Sequence, residues 1–222
     1  MERKIITTGD GSKTIHMPDW NEQYHSKHGA LQEALHVFIE MGLRFSLSRK
    51  RTQSQPISIL EYGLGTGLNA MITAQFNTEI PIHYTGVEAF PVSMEEAHAM
   101  QYGELLNDKN LYNAIHSAAW ESIHEVSPNF TLEKKKLTFD NIVYKDQYDI
   151  IYFDAFGPRV QPELWTEAIF KGAYNALKSG GVLTTYCAQG QARRNMQAAG
   201  FTVERLPGPP GKREMLRATK FN

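Results

Sequence analysis

The 222-residue sequence predicts an α/β fold, an open and mostly parallel sheet with helices on both faces and an antiparallel hairpin at its C-terminal edge. Three observations predict it. From residue 56 onward, short apolar runs alternate with stretches of helical periodicity, the pattern of successive βα units. The first of these runs passes straight into a glycine-rich turn that opens a helix. The last two, Thr202–Leu206 and Glu214–Thr219, flank only the Pro- and Gly-rich stretch Pro207–Lys212, so they pair as a hairpin.

Each element has its own signal. Lys4–Met17 alternates loosely around Gly-Asp-Gly at residues 9–11 and reads as a small hairpin. Over Leu31–Leu47, Leu31, Ala34, Leu35, Phe38, Ile39, Gly42 and Leu43 fall at helical spacing. The polar stretch Ser48–Gln55, closed by Pro56, is a connection, which divides the chain into an N-terminal extension over residues 1–55 and a main domain over 56–222. Strands are expected at Ile57–Tyr62, Ile82–Glu88, Phe130–Leu132, Tyr148–Phe153 and Val182–Tyr186. Helices are expected at Leu68–Phe76, Val92–Leu106 with a continuation through Ile115, Glu163–Leu177 and Gln189–Ala199. The Ser-Gly-Gly at 179–181 reads as the terminus of the Glu163–Leu177 helix.

Composition bounds the function. With 41% hydrophobic residues, 21% charged residues and a net charge of −1, the chain is not disordered. Cys187 is the single cysteine, so a disulfide framework is excluded and a reducing compartment is expected. The opening MERKIITTGDGSKT has no apolar core of a signal peptide, and no apolar run approaches the roughly 20 residues of a membrane span. The expectation is a soluble cytoplasmic protein with no membrane partner. Eight histidines are scattered without zinc-ligand spacing, so no metal is expected.

Charge is unevenly spread. Residues 189–222 carry +5, through Arg193, Arg194, Arg205, Lys212, Arg213, Arg217 and Lys220 against Glu204 and Glu214, which leaves −6 on the first 188. A second basic run comprises Arg44, Arg49, Lys50 and Arg51. Such patches recruit polyanions, although charge alone does not establish nucleic-acid binding.

Two motifs carry chemistry. Glu61-Tyr-Gly-Leu-Gly-Thr-Gly-Leu-Asn69 joins a strand to a helix, and Gly63, Gly65 and Gly67 permit a tight turn that a ligand can approach closely. A dinucleotide fingerprint would need glycine where Leu68 stands, and no Gly-Lys-Ser/Thr of a P-loop follows. The next strand ends in Glu88, 21 residues beyond Gly67, where an acid can accept hydrogen bonds from both ribose hydroxyls of a nucleoside. Glu61 either bonds the amides of the turn or contacts the cofactor. The second motif, Ile150-Ile-Tyr-Phe-Asp154-Ala-Phe156-Gly-Pro158, ends a buried strand in an acid followed by an aromatic. Asp154 is expected in the crevice at the strand's carboxyl end, where it can take a proton from an amine nucleophile directly or through a water that it orients. Phe156 either stacks on a planar base or packs in the core.

Further stretches join these: Gly29-Ala-Leu-Gln-Glu-Ala-Leu-His-Val-Phe38, Asp154-Ala-Phe-Gly-Pro-Arg-Val-Gln-Pro-Glu-Leu-Trp165, Arg193–Phe201 and Gly211-Lys-Arg-Glu-Met-Leu216. Together they resemble the tRNA 5-methylaminomethyl-2-thiouridine methyltransferase family (MnmD, the methyltransferase part of MnmC-type enzymes). The resemblance implies a Rossmann-like class I methyltransferase with a seven-stranded sheet and S-adenosyl-L-methionine (SAM) as cofactor. It also implies N-methylation of the 5-aminomethyl group of wobble uridine 34 in the anticodon region of tRNA. Carried over by position, Gly63, Gly65, Gly67 and Glu88 would bind SAM and Asp154 and Phe156 would lie at the reacting amine. Glu33 would lie near the cofactor, and Asp140 matches the acid that the family has near adenine, across an interruption by Lys134–Lys136. Lys212 and Arg213, assisted by Arg193 and Arg194, would grip tRNA phosphates. The fused forms carry a flavin-dependent oxidase domain that has no counterpart in this sequence, so no flavin is expected. The competing readings are a methyltransferase of a small amine and a non-catalytic SAM-fold protein that binds RNA.

Overall fold

Strands whose alternate residues are both apolar need cover on two faces, and the chain supplies it with helices of opposite placement. The computed structural model describes residues 2–49, 55–76 and 79–221. Lys50, Arg51 and most of the expected 48–55 connection lie outside the described residues. An N-terminal sheet of β1 (Lys4–Thr7), β2 (Lys13–Met17) and the two-residue β3 (Glu22–Gln23) precedes a helical run over 30–48, here α1. This run is α-helical at each end and π-helical across Leu35–Arg44. Gly42 lets it approach the main sheet, since a Cβ there would meet Thr184 and Tyr152 at 3.2 and 3.3 Å.

The main sheet is built from β4 (Ile57–Tyr62), β5 (Ile82–Val87), β6 (Ile123–Ser127), β7 (Phe130–Lys135), β8 (Tyr148–Phe153), β9 (Leu177–Thr185), β10 (Thr202–Pro207) and β11 (Glu214–Thr219). Its order is β10-β11-β9-β8-β4-β5-β7-β6, with parallel pairing from β9 through β7 and antiparallel pairing at both edges. The helices after α1 are α2 (Leu68–Ala74), α3 (Met94–Met100), α4 (Tyr102–Leu105), α5 (Lys109–Ser117), α6 (Glu167–Ala176) and α7 (Gly190–Ala198). From central β4 the chain builds outward through β5 to β7 and then returns to add β8 and β9 on the other side. The crevice at the carboxyl ends of β4 and β8 is therefore the switch point where ligands bind in open α/β sheets.

Three expectations need correction. The sheet has eight strands rather than seven, because β6 pairs antiparallel with β7 around a turn where Asn129 takes a φ of 61°. Half polar and with Ile123 69% exposed, this edge strand gives almost no hydrophobic signal. Ser179-Gly-Gly does not end a helix. Helix α6 stops at Ala176, and residues 179–181 form a bulge within β9 where Gly180 takes a φ of +76°. The expected helix over Val92–Leu106 is two, broken at Gln101 with a φ of 56°.

Two apolar cores result. One joins α1, α2 and α5 to Ile57, Ile59, Ile82, Tyr84, Phe130, Leu132, Ile150 and Tyr152; the other joins α6 and α7 to Leu60, Tyr62, Ile151, Phe153 and Leu183. Arg217, on β11 and only 8% exposed, ties α1 to the C-terminal hairpin. Its Nε donates to Glu204 at 2.8 Å, its Nη1 to the Met41 carbonyl at 3.1 Å, and its guanidinium lies 3.4 Å from the Phe45 ring centre. Arg217→Ala is expected to lower stability by about 2–3 kcal/mol in urea unfolding, with Arg217→Met recovering part of it through stem packing. A loss below about 0.5 kcal/mol would refute this clamp.

Candidate active site at the sheet switch point

Strand side chains alternate between faces, so the last residue on a given face is fixed by those before it. Ile57 and Ile59 face the α1–α2 core, and Glu61 continues them; Ile150 and Tyr152 do the same, and Asp154 continues them. Both carboxyls therefore emerge on one side of the sheet, under the start of α2. Asn69, in the first turn of that helix, donates one amide hydrogen to Glu61 Oε1 and the other to Asp154 Oδ2, each at 2.8 Å. Glu61 is 0% exposed, and burial pushes its carboxyl well above the usual range, with Asn69 opposing and Asp154 reinforcing the shift. Burial likewise raises Asp154 to about 7; the nearby charge of Glu33 adds to this, while Asn69 and Lys212 oppose it.

The glycine turn holds the two strands close. Gly63 takes a φ of +91°, and a Cβ there would lie 2.8 Å from the Asp154 carbonyl oxygen. Gly67, at +74°, leaves room for the His116 imidazole, and Gly65 faces the Tyr24 ring. Glu88 accepts from the Gly65 amide at 3.1 Å and the Phe90 amide at 2.8 Å, so the strand-end acid shapes the turn it faces. Beside them lies a cleft of about 500 Å³ lined by Gly65, Glu88, Val92, His116, Trp120 and Lys134, among others.

Other expected residues fall in three groups. Glu33, 7% exposed at the start of α1, accepts from the Ser26 amide and pairs with Lys212 Nζ at 2.5 Å. Lys212 also sits 4.0 Å from the centre of the Tyr186 ring, whose hydroxyl donates to the Ala155 carbonyl. Lys212 is thus tied into the floor of the site rather than presented as a surface cation. Phe156 meets Tyr24 and Trp20 edge-on at 5.0 and 5.7 Å, and the Trp165 indole fixes its backbone by donating to the Phe156 carbonyl. Arg193, Arg194 and Arg213 form no ion pair among the described residues; Arg194 donates to Gln191.

Asp140 does not reach the cleft. It stands exposed on the short turn Phe139–Asn141, whose Phe139 packs on Tyr62 and Phe153 on the opposite face of the sheet. Lys134 lines the cleft instead. Sequence reading also passed over Asn69, Tyr186, Trp120 and Lys134. Asn69 closes the glycine motif, and continuing the two-residue period of β7 and β9 would have found Lys134 and Tyr186. Cys187 is buried and its thiol is pushed up by that burial. Among the described residues no helix is long and apolar enough to cross a membrane.

Known proteins resemble this chain in sequence and fold. The MnmC protein of Cupriavidus metallidurans, named a tRNA 5-methylaminomethyl-2-thiouridine biosynthesis bifunctional protein, is 30% identical over 230 aligned positions, covering 96% of this chain and 33% of the relative. Its Burkholderia mallei counterpart is 27% identical, with 96% and 34% covered. The chain thus spans about a third of the length of the curated relatives it matches. Crystallised MnmC2 from Aquifex aeolicus superposes with a TM-score of 0.73 at 23% identity, covering 98% of this chain and 70% of that one. Spermidine synthase from Thermotoga maritima reaches 0.58 at 14% identity over 99% and 70%, so these structures share the fold. Residues 111–221, from the end of the cleft through the C-terminal hairpin, match a family model, and the chain belongs to that family of S-adenosyl-L-methionine-dependent methyltransferases.

Proposed function

We propose that this chain methylates the 5-aminomethyl group of wobble uridine 34 in the tRNA anticodon, giving 5-methylaminomethyl-(2-thio)uridine. The observation that carries the reading is the Asp154 carboxyl, held by Asn69 at the switch point and followed by Phe156 among the Tyr24 and Trp20 rings. An amine attached to a planar base needs such a pairing of proton acceptor and aromatic wall. The name borne by the MnmC relatives supports tRNA as the substrate.

SAM fits the residues present. Gly63 and Gly67 occupy positions where a Cβ would collide with Asp154 or crowd His116, and a cleft of about 500 Å³ opens beside them. In this reading Glu61 and Gly63, Gly65 and Gly67 line the methionyl end, with Glu33 and Lys212 beneath. Glu88 takes the ribose, since each carboxylate oxygen already bonded to one amide retains a free lone pair. Bound there, the cofactor supplies an electrophilic methyl on a sulfonium, open to in-line displacement by a neutral amine. Asp154 takes the proton that the amine must lose and aims its lone pair. The Glu33–Lys212 pair holds α1 against the loop over residues 208–213 and keeps a positive charge near Asp154.

Purified protein with isotope-labelled SAM and tRNA bearing 5-aminomethyl-2-thiouridine is expected to yield labelled 5-methylaminomethyl-2-thiouridine by nucleoside mass spectrometry. Asp154→Asn is expected to abolish turnover with SAM affinity nearly unchanged; an active Asn variant would remove Asp154 from the chemistry. SAM binding without tRNA product would move the acceptor to a small amine.

The direction of pH dependence follows from the raised Asp154. Below about 7 its carboxyl is protonated and cannot accept, so kcat/KM rises with pH through an acid limb. At saturating SAM the sulfonium favours the carboxylate, so the limb falls at or below 7, separate from the amine's own limb at higher pH. A profile flat between pH 5 and 7 would contradict this.

For tRNA phosphates we propose Arg193, Arg194 and Arg213. Arg194→Ala with Arg213→Ala is expected to raise the KM for tRNA by about tenfold and make its salt dependence shallower by about one to two in log–log slope. An unchanged slope would exclude phosphate contact.

A further inference from the structure

Strand β7 carries an anomaly that the reaction does not use. Phe130 and Leu132 point into the α1–α2 core, and the next residue in that register is a lysine. Lys134 is 3% exposed, and its ammonium has one protein acceptor, the His116 carbonyl in the last turn of α5, at 2.8 Å. No carboxylate pairs with it among the described residues. The Trp120 ring centre lies 5.1 Å from Nζ, and both residues line the cleft that Glu88 also lines. Burial alone pulls this ammonium down to about 8.

An ammonium carries three donors and no acceptor. With one donor on His116, the others have the cleft to satisfy them. Leaving them unmet in a dry site costs more than a typical hydrogen bond returns. The ligand atom expected opposite them is an acceptor, and the Trp120 face beside them suits a planar heterocycle.

We propose that Lys134 and Trp120 form the base-reading end of the cofactor cleft, with Lys134 donating to an acceptor atom of the purine. This rests on the reading of that cleft as the adenosine end of the SAM site. A carboxylate there would accept from the exocyclic amine of adenine and reject a base lacking it. A lysine reads only acceptors. Deamination to hypoxanthine keeps the N3 and N7 acceptors and turns N1 into a donor beside a new carbonyl oxygen, so a lysine on N3, on N7 or on the edge that the carbonyl joins keeps an acceptor and tolerates the change.

Calorimetric titration with S-adenosyl-L-homocysteine and its deaminated analogue, S-inosyl-L-homocysteine, tests the assignment. The native protein is expected to bind the two within about threefold of each other. Lys134→Met is expected to weaken both by about tenfold or more, the loss of one charge-assisted hydrogen bond. Discrimination against the inosyl compound of a hundredfold or more in the native protein would overturn the proposal. So would unchanged affinities in Lys134→Met alongside a lowered Tm, which would make the lysine a cap for α5 alone. Glu88→Ala separates the two levels of the argument: if it leaves S-adenosyl-L-homocysteine binding intact, the cleft reading itself fails. If it abolishes binding while Lys134→Met does not weaken it, only the role of Lys134 falls.

Discussion

One side-chain amide organises this site. Asn69 has two hydrogens to give, and it gives them to carboxyls that end two adjacent parallel strands. Those carboxyls can lie under one helix only because β4 and β8 present the same face at their ends, and because Gly63 lets the backbones after the strands nearly touch. Replace either condition and the amide loses a partner while a buried carboxyl loses its donor, a penalty of about 1–3 kcal/mol for each group left unsatisfied. The same register carries Glu88 beyond β5, Lys134 on β7 and Tyr186 beyond β9 to the same side. The apolar core beneath α1 and α2 therefore does more than hold the sheet: it decides which polar side chains meet at its rim.

Much of this was legible because it is local. Glycines at 63, 65 and 67 after an apolar run announce a turn, and acids at 61, 88 and 154 announce strand ends facing a crevice. What escaped depends on partners remote in sequence. Lys134 stands amid Lys134–Lys136 and looks like a solvated charge run, yet alternate residues of that run have opposite fates: Lys134 is buried and Lys136 exposed. Asp140 looked suitable by type and distance along the chain, but Phe139 anchors its turn on the wrong face of the sheet. Edge strand β6 has no buried face to impose a pattern, and its pairing shows only once β7 is in place.

The basic C-terminal stretch illustrates the same limit for charge. Arg205, Lys212, Arg217 and Lys220 find carboxylates in the folded chain, at Glu214, Glu33, Glu204 and Asp146. Two of these pairs lie within the stretch itself, and two of the five excess charges, Lys212 and Lys220, neutralise acids contributed by other segments, joining α1 and the 140s loop to the terminal hairpin. Arg193, Arg194 and Arg213 pair with no carboxylate among the described residues. A surface that binds nucleic acid through a few uncommitted arginines responds to salt less steeply than the raw charge count suggests.

Glu61 and Asp154 are chemically alike and share a donor, yet their surroundings separate them. Glu61 has no exposed surface and feels the negative charge of Asp154, so its neutral form is favoured and it can serve as a fixed hydrogen-bonding wall. Asp154 is partly open to the crevice and has Lys212 nearby, which leaves it balanced close to neutrality at about 7. A carboxyl so balanced changes state for a small electrostatic input, and any cation entering the crevice supplies that input by favouring the carboxylate. The proton acceptor that the proposed chemistry needs is then generated by arrival of the charged reactants, while the protein alone avoids burying two carboxylates side by side.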